Sequence, residues 1–212
     1  LAGAVGAVVS STAVTVDAAR RARDGVSGLA AATAVGIASS IMLARSLLLV
    51  GVLAPFAFAS FAALVLPGLL VSIFTSALLL YLGRNSDAVP GASKARPPGL
   101  GLALLFAATV AVLSVCAAWA QSRWGGESGA IMIAIGGLAD IDAAIAAVGT
   151  LPAGTLAVPV AALALAAPTL FNTVFKLALF LTIAGWRRAL PGTATLGGVA
   201  VGLLIPIATA LL

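Results

Sequence analysis

Long apolar blocks divided by short polar breaks dominate the chain. The blocks fall at 1–18, 28–53, 61–82, 99–122, 128–149, 155–185 and 192–212. At about 1.5 Å of rise per residue, each is long enough to cross a hydrocarbon core of roughly 30 Å as a helix. The breaks are RRARDG at 20–25, the Pro/Gly-rich GRNSDAVPGASKARPPG at 83–99, QSRWGGE at 121–127 and WRRALPG at 186–192. Trp124 and Trp186 stand in two of them, where indoles anchor membrane helices at the interface. The pattern predicts an all-α, polytopic membrane helix bundle of about seven transmembrane helices, with six to eight as the range. The range comes from residues 51–82, which hold Pro55 and Pro67 and fit one kinked crossing or two short ones. One crossing is the expectation, since proline is tolerated within membrane helices.

Composition agrees with that pattern. The mean hydropathy is +1.23, and charged residues are 8% of the 212, against about 25% in soluble domains. Too few charges remain to coat a water-facing surface. The net charge of +5 reads as the Lys/Arg bias of cytoplasmic loops rather than nucleic-acid binding. RRAR, with Asp17 and Asp24, reads as a solvated turn. Histidine is absent, and the single cysteine, Cys116, lies in an apolar run. The commonest transition-metal ligand and general base is therefore missing. The chain opens on Leu1 and closes on Leu212 inside apolar sequence, so it is expected to be a piece of a longer protein.

Asp140 and Asp142 then stand out, because nothing else from 129 to 147 is charged. A carboxylate at the bilayer centre costs at least about 2.5–3.5 kcal/mol and normally faces a cavity or a partner. On a regular helix, positions two apart point about 200° from each other, so both reach one site only if the helix is interrupted. Gly136 and Gly137 allow such an interruption. Paired carboxylates suit a hard cation or a shared proton. The structural alternative is an ion-pair network with Arg45 and Lys176, the two basic residues deep in apolar blocks. Lys176 follows Asn172 by one turn, so FNTVFK carries a polar face. Arg45 is also read as able to snorkel to the headgroups. A lysine that neutralises an aspartate must move or lose its proton when a cation arrives, which would couple cation to proton. Ser10, Ser11, Thr12 and Thr15 form another polar cluster, whose ordinary role is to bond their own helix.

The special residues recur in order. A shift of about 130 positions places Ser10 and Thr12 on Asp140 and Asp142 and, within one residue, Arg45 on Lys176. The expected organisation is a first helical repeat at 1–82, a polar loop plus connecting helix at 83–127 and a second repeat at 128–212. Duplicated halves around a midplane site are a common transporter plan.

At SSTAVT, GLADIDA and FNTVFK the sequence resembles the bacterial membrane domain family DUF4010, over nearly the whole chain. The resemblance maps the family's SST to Ser10–Thr12, its D-x-D to Asp140 and Asp142, and its N-x-x-x-K to Asn172 and Lys176. Ala139 departs from it, since a polar residue there would match better. The resemblance implies a multi-pass protein of the bacterial inner (cytoplasmic) membrane, commonly following an MgtC/SapB-type domain in the same chain. The leading functional expectation is a transporter of an inorganic cation, with a divalent ion such as Mg in view. Its metal ligands are Asp140 and Asp142, its coupling residues Asn172 and Lys176, and its supporting residues Ser10, Ser11, Thr12 and Arg45. The alternative is a non-transporting regulatory or assembly module. Expected partners are the lipid bilayer, the cation, the MgtC-like domain and, as an open option, further copies of the chain. No enzyme or organic cofactor is expected. GLAD is similar to the G-x-G-D of intramembrane aspartyl proteases, but Ala139 replaces the second glycine and no second mid-membrane helix offers an aspartate.

Overall fold

The structure, a computed structural model, describes residues 11–25, 27–83, 100–125, 128–152 and 154–212. Among them every regular element is helical: α1 Ser11–Arg23, α2 Gly28–Leu53, a 3₁₀ turn Pro55–Ala57, α3 Phe58–Leu82, α4 Leu100–Trp124, α5 Ser128–Ala139, α6 Ile141–Thr150, α7 Val158–Ala184 and α8 Trp186–Leu211. Ser10 and residues 84–99 of the polar loop lie outside the described residues.

Among the described residues, four helical runs are long and apolar enough to cross a membrane: α2, Pro55–Leu82, α7 and α8. Their burial pattern agrees. On α3, Phe61, Val65 and Leu69 are buried along one stripe, while Leu66, Leu70 and Phe74 are exposed though equally apolar. A helix that is apolar all round, with one face bare, suits a lipid environment and not water. These helices mark a membrane protein. The described residues do not confirm the expected count of seven crossings, and 128–149 is two short helices.

Local chemistry explains the boundaries. Pro55 lacks an amide and disfavours a helical residue before it, so α2 stops at Leu53 and a 3₁₀ turn starts at Pro55. Pro67, by contrast, sits inside a continuous α3, so 55–82 forms one helical run, as expected. RRAR is the last turn of α1 rather than a loop. WRRALPG likewise opens α8. The chain needs only Gly185, at φ 77°, to pass from α7 to α8. A left-handed glycine closes a helix without the Cβ penalty.

The chain divides into two compact units: Leu1–Arg45, Leu66–Arg96 and Thr173–Ile205 in the first, and Ser46–Val65, Pro97–Asn172 and Pro206–Leu212 in the second. The first is held by small residues. Ala18, Ala19, Ala22, Ala31, Ala184 and Ala189 pack with Val35, Phe180 and Leu196 in one buried cluster. Where α2 meets α3, Ser72 Oγ donates to Gly36 O at 3.0 Å and Ser40 Oγ to Ser72 Oγ at 2.9 Å. Where α3 meets α8, a Cβ on Gly202 would lie 3.0 Å from Gly68 Cα and 3.2 Å from Pro67 O. Close backbone approach of this kind is how membrane helices gain contact energy.

That crossing sets a stability prediction. Gly202→Val meets backbone that has no side chain to swing away, and is expected to destabilise by about 1–3 kcal/mol. Gly197→Ala on the same helix meets nothing within 4 Å and is expected to be neutral. Thermal unfolding of the two purified variants in one detergent checks the contrast.

Candidate functional site

The stretch GGLADIDAA turns back on itself. Ser128 Oγ donates to Ala120 O at 2.9 Å and Gly129 N to Gln121 Oε1 at 3.3 Å, so α5 sets off back along α4. A straight helix from Ser128 would carry Thr150 past the start of α4. Thr150 Oγ1 instead lies 2.9 Å from Ser114 Oγ, roughly 24 Å short of that point at 1.5 Å per residue. A Cβ on Gly137 would lie 3.2 Å from Ala144 Cβ, although residues seven apart on one helix stand about 10 Å apart. α5 and α6 therefore form a V with Asp140 at its apex. With 12 and 10 residues, the arms are about 18 and 15 Å long, and neither spans a core of roughly 30 Å. This corrects the expectation of one crossing at 128–149.

The interruption lies at Asp140 and not at the glycine pair. Asp140 has extended backbone, φ −149° and ψ 105°, and its Oδ1 accepts from the amides of Asp142 at 3.0 Å and Ala143 at 3.2 Å. It is the N-cap of α6, satisfying amides that have no helical carbonyl. Gly137 serves the turn differently. A side chain there would meet Pro168 Cγ at 2.8 Å, so the glycine lets α7 and the V close on each other.

The cap leaves oxygen elsewhere. In a continuous helix the amides of Asp142 and Ala143 would bond Leu138 O and Ala139 O; here both go to Asp140. α5 thus ends with diverted carbonyls at the negative end of its dipole. Asp142 lies in the first turn of α6 and is half-buried, as is Asp140. Pro168, against the V, also removes the amide that would bond Ala164 O. Asn172 stands one turn beyond Pro168 on the same face of α7 and is half-buried. The second unit therefore holds two carboxylates at one helix break, with Asn172 one turn along α7 from the proline that packs against Gly137. An all-oxygen set suits hard cations. No group of three His, Cys, Asp or Glu is close enough to hold a metal ion among the described residues.

The remaining expected residues belong to the first unit. Lys176 is fully buried, and its Nζ donates to Met42 Sδ at 2.8 Å. A thioether is a weak acceptor. Ser39, one turn before Met42, is buried and its Oγ has no hydrogen-bond partner among the described residues. The described acidic residues of this unit, Asp17 and Asp24, sit beside Arg21 and Arg23 at 2.8 and 3.4 Å. Arg45 is half-buried on α2. Ser11 is buried and Thr12 half-buried on α1, and Thr15 Oγ1 donates to Ser11 O at 2.9 Å. Thr15 thus takes the ordinary role of a hydroxyl in an apolar helix. Met42 was not singled out by sequence reasoning, which had only its place three residues before Arg45 to go on.

A family model described as Domain of unknown function (DUF4010) matches residues 1–184. No curated protein and no solved structure matches the chain.

The cap makes the two aspartates separable. Asp140→Ala is expected to lower stability by about 0.5–2 kcal/mol, whereas Asp140→Asn, which still caps, changes it little. Thermal unfolding of the pair checks this. Equal losses from both would count against a capping role.

Proposed function

The chain belongs to the DUF4010 family, and from its own residues we propose that it transports an inorganic cation across the bacterial cytoplasmic membrane. One observation carries the reading: the V at Asp140, where a half-helix ends in diverted carbonyls beside Asp142. Broken helices are costly in lipid and persist where they line a cavity or a site. In transporters, half-helix C-termini and unwound carbonyls take up the cation. Asp142 is the proposed anionic ligand. Asp140 holds the break and offers its second oxygen, and Leu138 O, Ala139 O and Asn172 complete an oxygen set. A divalent ion such as Mg fits that donor chemistry.

Proton coupling is assigned to Lys176, a fully buried basic group that packing alone does not explain. Ser11, Thr12, Ser10 and Arg45 are given supporting roles. Internal duplication is part of the proposal, and what supports it is the spacing of elements. α6, α7 and α8 begin about 130 residues after α1, α2 and α3. A fused MgtC-like domain belongs to the same reading. The second reading, a non-transporting assembly module, draws on the cap itself, because capping gives Asp140 a task without any ligand.

Flux into liposomes separates the two. Asp142→Asn is expected to cut Mg²⁺ uptake by about tenfold or more, with thermal stability kept because the Asp140 cap remains. Parent protein without flux, or flux indifferent to this substitution, selects the assembly reading. Lys176→Met, of similar length and apolar, is expected to fold as well as the parent or better. It should keep downhill cation flux but lose acceleration by an opposing proton gradient, which a pH-sensitive dye inside the vesicle reports.

A further inference from the structure

Two basic clusters far apart in sequence meet in the first unit. One is the last turn of α1, with Arg20, Arg21 and Arg23; the other is the first turn of α8, with Arg187 and Arg188. Arg188 Nη1 donates to Arg23 O, joining them. The contact continues beneath, where a Cβ on Gly28 would lie 3.4 Å from Pro191 Cγ and 3.5 Å from Arg188 O. Ala22, Ala31, Ala184 and Ala189 close the same region in the buried cluster. The clusters are therefore fixed against each other by packing.

Charge and depth say what such a patch meets. Asp17 lies beside Arg21 and Asp24 beside Arg23, which leaves Arg20, Arg187 and Arg188 in excess, all three exposed. Two of the membrane-length helices, α2 and α8, begin here, at Gly28 and Trp186. The arginines thus lie where apolar helix gives way to polar chain, at headgroup depth. Trp186 is 75% exposed beside them, an indole suited to the interface. All five basic residues are arginine, whose planar fork takes two phosphate oxygens at once.

We propose that the joined ends of α1 and α8 form a binding site for the phosphate headgroup of an anionic phospholipid, with Arg20, Arg187 and Arg188 as donors and Trp186 against the glycerol region. Basic pockets between membrane helices recognise such headgroups, each arginine near the surface contributing a factor of about five. The site is independent of the cation reading.

The chain in nanodiscs of phosphatidylcholine containing a minority of phosphatidylglycerol provides the test, with retained lipid identified by native mass spectrometry. Both faces of a nanodisc are open, so insertion topology does not enter. Preferential retention of phosphatidylglycerol is expected, falling about fivefold in Arg187→Gln, an exposed substitution that leaves the core untouched. Arg20→Gln combined with Arg187→Gln and Arg188→Gln should abolish it, with helicity as the control for folding. Equal retention of both lipids, or retention unchanged in Arg187→Gln and in the triple variant, overturns the proposal. Displacement of the lipid by excess soluble glycerol phosphate also overturns it, because the site would then take a free phosphate ester.

Discussion

Backbone amides in an apolar surround must find partners inside the protein, and at the start of α6 a side chain meets that demand. Asp140 Oδ1 takes the amides of Asp142 and Ala143, which a continuous helix would have given to Leu138 and Ala139. An amide buried without a partner costs about 1–3 kcal/mol, so the carboxylate is what makes a sharp reversal affordable within so apolar a stretch. The rest of the second unit depends on that reversal. It sets Gly137 against Pro168 and Ala144, and brings Thr150 back to Ser114.

Hydropathy made most of the fold legible. The blocks at 28–53 and 61–82 match α2 and α3 closely, because an apolar helix in lipid is bounded by where apolar sequence ends. Hydropathy was blind to what happens inside a block. Residues 128–149 are apolar enough for one crossing, and a broken helix has the same composition as a continuous one. The break did leave a signal: aspartate at an N-cap, with a second acid in the first turn, is a common helix start. Reading both aspartates as intramembrane charges hid it. The glycine pair misled for a related reason. Gly137 is needed for close packing, and the backbone turns three residues later. WRRALPG was misread as a loop because Pro191 and Gly192 look like breakers, yet the chain had already turned at Gly185.

The candidate site was legible as residue types and illegible as geometry. Asp140 and Asp142 were expected to act as equivalents. The structure gives them different tasks, one closing the backbone with an oxygen and the other standing in the first turn of the new helix. Lys176 was visible as a basic residue in a greasy helix, but its contact with Met42 crosses 134 positions of sequence, which no local pattern encodes. The meeting of Arg23 with Arg188 is another case. Each cluster was read as its own solvated break, and only the packing of alanines beneath them makes one surface.

The proposed duplication sharpens why the carboxylates occur once. In the first half the matching residues are hydroxyls, of which Ser10 lies outside the described residues, and Thr15 Oγ1 bonds back to Ser11 O on α1. A back-bonded hydroxyl leaves the ladder intact and adds no charge. In the second half a carboxylate ends one helix and starts another. A hydroxyl can also cap a helix, but it brings no charge to the helix start, where the dipole favours an anion. Two ionised sets would each carry the cost of desolvation, whereas one supplies the fixed negative charge a cation needs. On the proposed duplication, one neutral half and one anionic half is therefore the less costly way to build an asymmetric site from a repeated plan, with the fixed negative charge on the half that carries Asp140 and Asp142.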